Sequence, residues 1–489
     1  MKKIFYSLAL AVSLLLACTD LEENVIDKIP EDKYTINPVL QMTPIYEQMR
    51  LFLDNTGWWF AQELTSDEMV GPTRASDWDD GGKWRVLHTH TWDNNTEAIN
   101  SMWKPFYDGV SEANKFIEKQ LPLAGDSVID AGIAKGKILR AYYYYLLIDN
   151  YGDVPYITQF LNAPKLPVKA KRADIFDSIV KEVETEVIKL QPSDSKTAVS
   201  EGMAYALLAK LYLNAEVYTG TPEWAKAEET CDKIIALEQY SLDTSPLDPF
   251  VTNNGNSQEN IWVIPYDEDG YKGNNLHMRT LHYNSNLTFD MTVGPWNGFA
   301  VTKDHYNTYS AEDLRQGYFL VGQQYSFDGK PITDAGAGGA NLIFTPEIPA
   351  LLMDASYTPV QIRMSGVRVV KQEVKIGAKD NLSNDFPIFR YADVLLMKAE
   401  AMIRQGKDGD EYVNMIRERA GLEPWVGVTL DQLLEERGRE MFWEAHRRQD
   451  LIRFNKFNEA WWEKPASTSD RKIFPIPQWA IDANPNLGL

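Results

Sequence analysis

The stretch from Met203 to Glu238, MAYALLAKLYLNAEVYTGTPEWAKAEETCDKIIALE, decides the architecture. Ala204, Leu207, Leu208, Leu211, Ala215 and Tyr218 recur three and four residues apart, which lines apolar side chains along one face of an α-helix. Gly220 and Pro222 in GTPEW then break the pattern, since glycine relaxes the backbone and proline cannot continue the helix. A second helical run, AKAEETCDKIIALE, follows at once. Ala204, Ala209, Ala225 and Ala227 are small enough to let the two helices approach closely. The stretch reads as a helical hairpin.

The same periodicity continues outward. Upstream it runs through Ile138, Tyr142, Tyr145 and Leu146, then through Phe176, Ile179, Val183, Val187 and Leu190. Downstream it returns in Ala392, Leu395, Leu396, Ala399, Met402 and Ile403, and in Leu430, Leu433 and Leu434. Thr429 with Gln432 forms a capping-box pattern at the start of that last run. Helical hairpins with small contact residues are similar to tetratricopeptide units, which stack because one pair alone cannot bury its apolar face. The fold class that follows is mainly α, a tetratricopeptide-like scaffold.

Two stretches depart from it. Residues at about 57–96 and 241–385 lose helical periodicity, and Asn, Gly and Asp clusters separate short strand-like pieces such as NIWVIPY and GVRVVKQEVK. They read as loop-rich insertions on a rigid helical frame, the setting in which binding residues commonly lie.

With 489 residues the chain can fill a large core, and its net charge of −21 argues against nucleic acid, whose affinity comes from cations meeting phosphates. Lys2 and Lys3 precede an apolar run from Ile4 to Leu16, a secretory signal too short for a comfortable membrane span. Leu15-Leu16-Ala17-Cys18 resembles the lipobox of bacterial lipoproteins, which implies a signal peptide over 1–17, an acylated Cys18 and one domain over 18–489. The acidic Thr19-Asp20-Leu21-Glu22-Glu23 resembles a surface-export stretch. Cys231 is then alone, cannot form an intramolecular disulfide, and reads as a small buried hydrophobe.

Catalytic motifs are missing from the sequence: it has no G-x-S-x-G, no H-E-x-x-H, and no Lys-Ser/Thr after the glycines of AGAGGAN. His88 and His90 would share a strand face but lack a third metal ligand. The stretch from Asp77 resembles an EF-hand start, but Gly81 replaces a ligand and His88 the bidentate Glu. No catalytic residue, metal or cofactor is assigned. Tryptophan is the more informative residue. Trp58, Trp59 and Trp103 sit in helical contexts and read as core. Trp78, Trp92 and Trp296 are flanked by Asp, Asn and Gly, with Arg74, Asp77, Asn94, Asn95 and Asn297 beside them. Flat rings offer stacking faces to the C–H faces of pyranoses, and the polar neighbours suit their hydroxyls. These eight residues are the candidate ligand set.

Several ordered blocks carry a resemblance: WKPFYDGVSEANKFIE, ILRAYYYYLLIDNYGDVPYI, ALLAKLYLNAEVY, FPIFRYADVLLMKAEAM, VNMIRERAGL, LLEERGREMFWEAHRRQDLIRFNKF and FPIPQWAIDANPNL. With the lipobox they resemble the SusD/RagB family of Bacteroidetes nutrient-binding lipoproteins. The resemblance implies a tetratricopeptide-like scaffold of four units under an irregular ligand-binding half. It further implies a cell-surface protein of the outer membrane, without enzymatic activity or cofactor, that captures glycan and passes it to a SusC-like TonB-dependent transporter. The alternatives are the same role for peptide or another nutrient, and a surface glycoside hydrolase. The charges from Glu436 to Arg453 read as pairs three or four apart along one helix, and Arg390, Tyr391 and Asp393 as ties between a helix start and its neighbours.

Overall fold

The scaffold is a run of helices, each packed on the next: α1 (Glu97–Gln120), α2 (Ser127–Tyr151), α3 (Arg172–Val187), α4 (Glu201–Leu213) and α5 (Trp224–Ala236). This computed structural model describes residues 41–488 apart from 55, 191, 192 and 194, so the signal segment and Cys18 lie outside the described residues. From Gln41 onward the chain forms one compact unit. Asp126 caps α2 by accepting from the backbone N–H groups of Val128 and Ile129. Tyr142 to Tyr145 are all buried, because α2 is flanked on every side rather than on one face. Gly109 of α1 makes that approach possible, since a Cβ there would lie 2.3 Å from the Tyr143 ring.

The hairpin read from the sequence is present as α4 and α5, with Cys231 buried in their contact. One detail differs. The first helix breaks at Asn214, and Ala215–Thr219 forms a separate short helix ended by left-handed Gly220. The buried Asn214 amide donates to the Lys210 carbonyl and to Gln449, and accepts from Arg453, so tertiary partners compensate the break.

After α5 the chain leaves the scaffold for about 150 residues and returns as α6 (Tyr391–Arg404), which packs directly on α5. The excursion is tied at its root by two buried antiparallel strands, Asn260–Ile264 and Phe386–Arg390. Trp262 of this stem meets Tyr142 of α2 edge-on at 4.8 Å, seating the insertion on the helices. Only Arg368–Val369 of GVRVVKQEVK is strand; beyond it Lys371 turns inward to bond Glu444 and the carbonyls of Glu440 and Phe442. The other sheets are two-residue pairings, including Met69–Val70 with Ala300–Val301 and Thr73–Arg74 with Leu352–Met353. These two join the 57–96 stretch to the large insertion.

The scaffold closes with α7 (Asp410–Arg419), α8 (Leu430–Met441) and α9 (Arg447–Arg453). Thr429 and Gln432 form the capping box. The charged block is not one helix, however. Trp443 and Ala445 adopt positive φ between α8 and α9, and the charges turn into the interior. Arg390 reaches Glu259, Glu440 and Glu444, while Arg437 reaches Asp393 and Asp450. Most partners are therefore distant in sequence, and the network bolts the insertion root to the closing helices. Arg390 and Asp393 do tie α6 to its neighbours, as read from the sequence.

Candidate functional site

The 57–96 stretch and the large insertion meet around a cavity of about 460 Å³ lined by Asp77, Trp78, Asp80, Lys83, Trp84, Arg279, Tyr283, Pro295 and Trp296. Trp78 occupies a left-handed backbone position at φ 58°. Its indole N–H donates to the Trp296 carbonyl at 2.7 Å, and its ring meets Phe299 at 5.0 Å and Trp84 at 5.8 Å. Trp296 is 37% exposed, a large ring presented to solvent. The Arg279 guanidinium lies 5.0 Å from the Trp296 ring centre and 4.8 Å from that of Phe60, and burial lowers its pKa to about 10. A cation still charged at neutral pH thus backs the exposed indole.

The carboxylates of the cavity have internal donors. Asp77 accepts from the Tyr283 hydroxyl, and Asp80 accepts from the Trp84 indole at 2.7 Å. Burial first, and then the Asp77 bond, raise Tyr283 to about 12, so the phenol keeps its proton. Behind it Arg363 sits 4.6 Å from the Tyr283 ring and forms a fork to Asp334. The result is a concave surface of three indoles and a phenol rimmed by Asp77, Asp80 and Lys83.

The chain matches the family model described as "SusD family" over residues 348–488, and that described as "Starch-binding associating with outer membrane" over residues 41–213. The chain belongs to the SusD/RagB family. The starch-binding protein SusD of Bacteroides thetaiotaomicron is 28% identical over 404 residues, 72% of this chain and 71% of that protein. A SusD-like protein of Bacteroides ovatus is 24% identical across 94% of this chain and 86% of its own length. Among solved structures, surface glycan-binding protein A of B. thetaiotaomicron, in complex with laminarihexaose, superposes with a TM-score of 0.73 at 22% identity. That match covers 92% of this chain and 98% of the other. A laminarin-binding SusD-like protein gives 0.74 at 21% identity, with the same coverage of each chain. At these identities the structural likeness shows the SusD fold, with its tetratricopeptide-like scaffold.

On this SusD scaffold the eight candidate residues separate. Asp77, Trp78 and Trp296 share the cavity. Trp92 is only 2% exposed, packed against His90 and Phe474, and its side with Asn94 borders a different hollow formed with the C-terminal segment. Asn95 is exposed and bonds Asn94. Arg74 and Asn297 are buried and face inward, which corrects their reading as ligand contacts. Arg74 donates to the carbonyls of Gly298, Ile362 and Ser365, and Asn297 bridges the Arg363 carbonyl and the Arg368 guanidinium. Both are polar because irregular backbone buried beneath the site needs donors and acceptors.

His88 and His90 are likewise interior. His88 ends the short helix Arg85–His88 and meets the Trp462 carbonyl, while His90, at φ 56°, spans the Thr65 carbonyl and Ser467. Neither lies on a strand, and burial lowers the pKa of both. Among the described residues no group of three His, Cys, Asp or Glu side chains is placed to hold a metal. Tyr283 and Arg279 line the cavity but lie outside the eight candidates. Tyr283 could have been found, as an aromatic beside Asn284, Ser285 and Asn286, whereas nothing local marks Arg279, which arrives through the fold.

Proposed function

We propose that this chain captures oligo- or polysaccharide at the cell surface and delivers it to a SusC-like TonB-dependent transporter of the outer membrane. The observation that carries the reading is the Trp78–Trp296 cavity. It joins aromatic faces to fixed polar groups, on a scaffold whose relatives carry starch- and glycan-binding names. Because Asp77 and Asp80 are both engaged by internal donors, the rim suits hydroxyl recognition better than a general acid–base pair. An acyl chain on Cys18, after loss of 1–17, supplies the anchor, and the described helices include none long and apolar enough to cross a membrane.

Calorimetry with laminarihexaose and maltohexaose tests the glycan reading. Trp296→Ala is expected to lose on the order of 2 kcal/mol, about thirtyfold in affinity, at an unchanged melting temperature. Absence of binding by the parent to either sugar, alongside binding of peptides, would move the ligand to another class. Co-purification from solubilised outer membranes tests the transporter, whose contact should bury at least roughly 1,200–2,000 Å².

A further inference from the structure

The motif GPWNGF holds a glycine that its own backbone does not require. Gly298 is outside the positive-φ residues, so its conformation suits any amino acid. The obstacle is spatial. A Cβ on Gly298 would lie 2.3 Å from Cε2, 2.4 Å from Cζ2 and 2.6 Å from Cδ2 of Trp78. The indole therefore lies on bare backbone, with its N–H held by the carbonyl two residues earlier.

That backbone has little room to yield. Trp296, Asn297 and Gly298 donate their N–H groups to the carbonyls of Met278, Leu281 and Arg279 at 2.7, 2.8 and 2.8 Å. Arg74 donates to the Gly298 carbonyl from below at 3.1 Å, and Arg368 holds the Asn297 side chain at 2.7 Å. A side chain at 298 must then displace the indole, and the side left open is the cavity that Trp78 lines. We propose that Gly298 is a positioning residue for the ligand site: it lets Trp78 lie against the Trp296–Gly298 backbone, so that two tryptophans form one preformed wall. The proposal rests on the glycan reading for its consequence. A wall built in advance spares the ligand the cost of ordering it, which is where affinity is lost when the wall is disturbed.

A double-mutant cycle of Gly298→Ala with Trp78→Ala tests this, read by laminarihexaose and maltohexaose affinity and by near-ultraviolet circular dichroism without ligand. In the parent background, Gly298→Ala is expected to change the aromatic spectrum and weaken binding about tenfold. In the Trp78→Ala background both effects should vanish, because the ring that meets the new methyl is gone. If Gly298→Ala alone does not fold while the double variant does, the coupling is supported by the same logic. An unchanged spectrum, equal losses in both backgrounds, or failure of both variants to fold overturns the proposal. A parent that binds neither sugar but binds peptides sinks the glycan reading, while the spectra still decide whether Gly298 sets the place of Trp78.

Discussion

The helical scaffold and the loop-rich half bury different kinds of side chain, because their backbones satisfy their hydrogen bonds in different ways. Between α4 and α5 the interior is Leu207, Leu211, Ala227, Cys231 and Ile234, and the backbone satisfies its own hydrogen bonds within each helix. Beyond its five-residue stem, the strand pairings of the insertion are two-residue ladders, so buried side chains must complete its backbone. Asn254 donates to the carbonyls of Pro249 and Asp385, Asn384 to those of Phe250 and Glu373, and Arg368 to those of Ser365 and Gly366. A polar residue in this half thus serves as internal carpentry where it meets a buried carbonyl, whatever its neighbours in the chain. Arg74 and Asn297 are the cases that show it.

The contrast is sharpest where the halves join. Arg390→Ala would leave the buried Glu259, Glu440 and Glu444 with only Arg419, Arg315 and Lys371 to balance them, and the expected loss is about 3–5 kcal/mol in urea unfolding. A loss under 1 kcal/mol would mean that water reaches the network, and that the junction is not held by its charges. Within the scaffold, Leu207→Ala should cost about 2–5 kcal/mol through a cavity, while leaving glycan affinity within twofold. A large change in affinity would instead show that the helices tune the site rather than merely carry it.

A pH experiment separates the halves more finely. Glu63 and Glu68 are buried neighbours that raise each other's cost of ionisation, facing Lys371, Glu444, Arg447 and Asp67, with the Ala445 N–H donating to Glu63 at 2.6 Å. Burial, above all, raises Glu63 from 4.5 to about 8, and Glu68 is raised too. The folded state therefore keeps a proton that the unfolded chain has released. Stability from this group is greatest below the unfolded value near 4.5 and declines as pH rises towards 8. Glu63→Gln keeps an acceptor for Ala445, so its melting temperature should fall less than the parent's between pH 5 and pH 8. Parallel profiles would show that the pair does not share a proton.

The smallest expected effect belongs to Asn95→Ala, a change at an exposed position outside the Trp78–Trp296 cavity. Stability should move by less than about 0.5 kcal/mol and glycan affinity hardly at all. A tenfold loss of affinity there would shift the ligand towards the Trp92 and Asn94 hollow, and the two-tryptophan cavity would lose its standing.

By itself the sequence determined the scaffold. Apolar side chains at helical spacing, the Thr429 capping box and the turn at Gly220 are local signals, because a helix satisfies its backbone within a few residues and its period shows in the chain. It also marked Trp78 and Trp296 as candidates, since aromatics among Asp, Asn and Gly are hard to bury. Only the tertiary structure decided which candidates meet. Trp78 and Trp296 lie 218 residues apart, and one hydrogen bond between indole and carbonyl joins them. Trp92 has a similar polar neighbourhood in sequence, yet it is packed beneath the C-terminal segment. The physical reason is that irregular backbone satisfies its polar groups through distant partners. Whether an Arg, Asn or Trp faces ligand or interior therefore depends on carbonyls that its own neighbourhood in the chain does not contain.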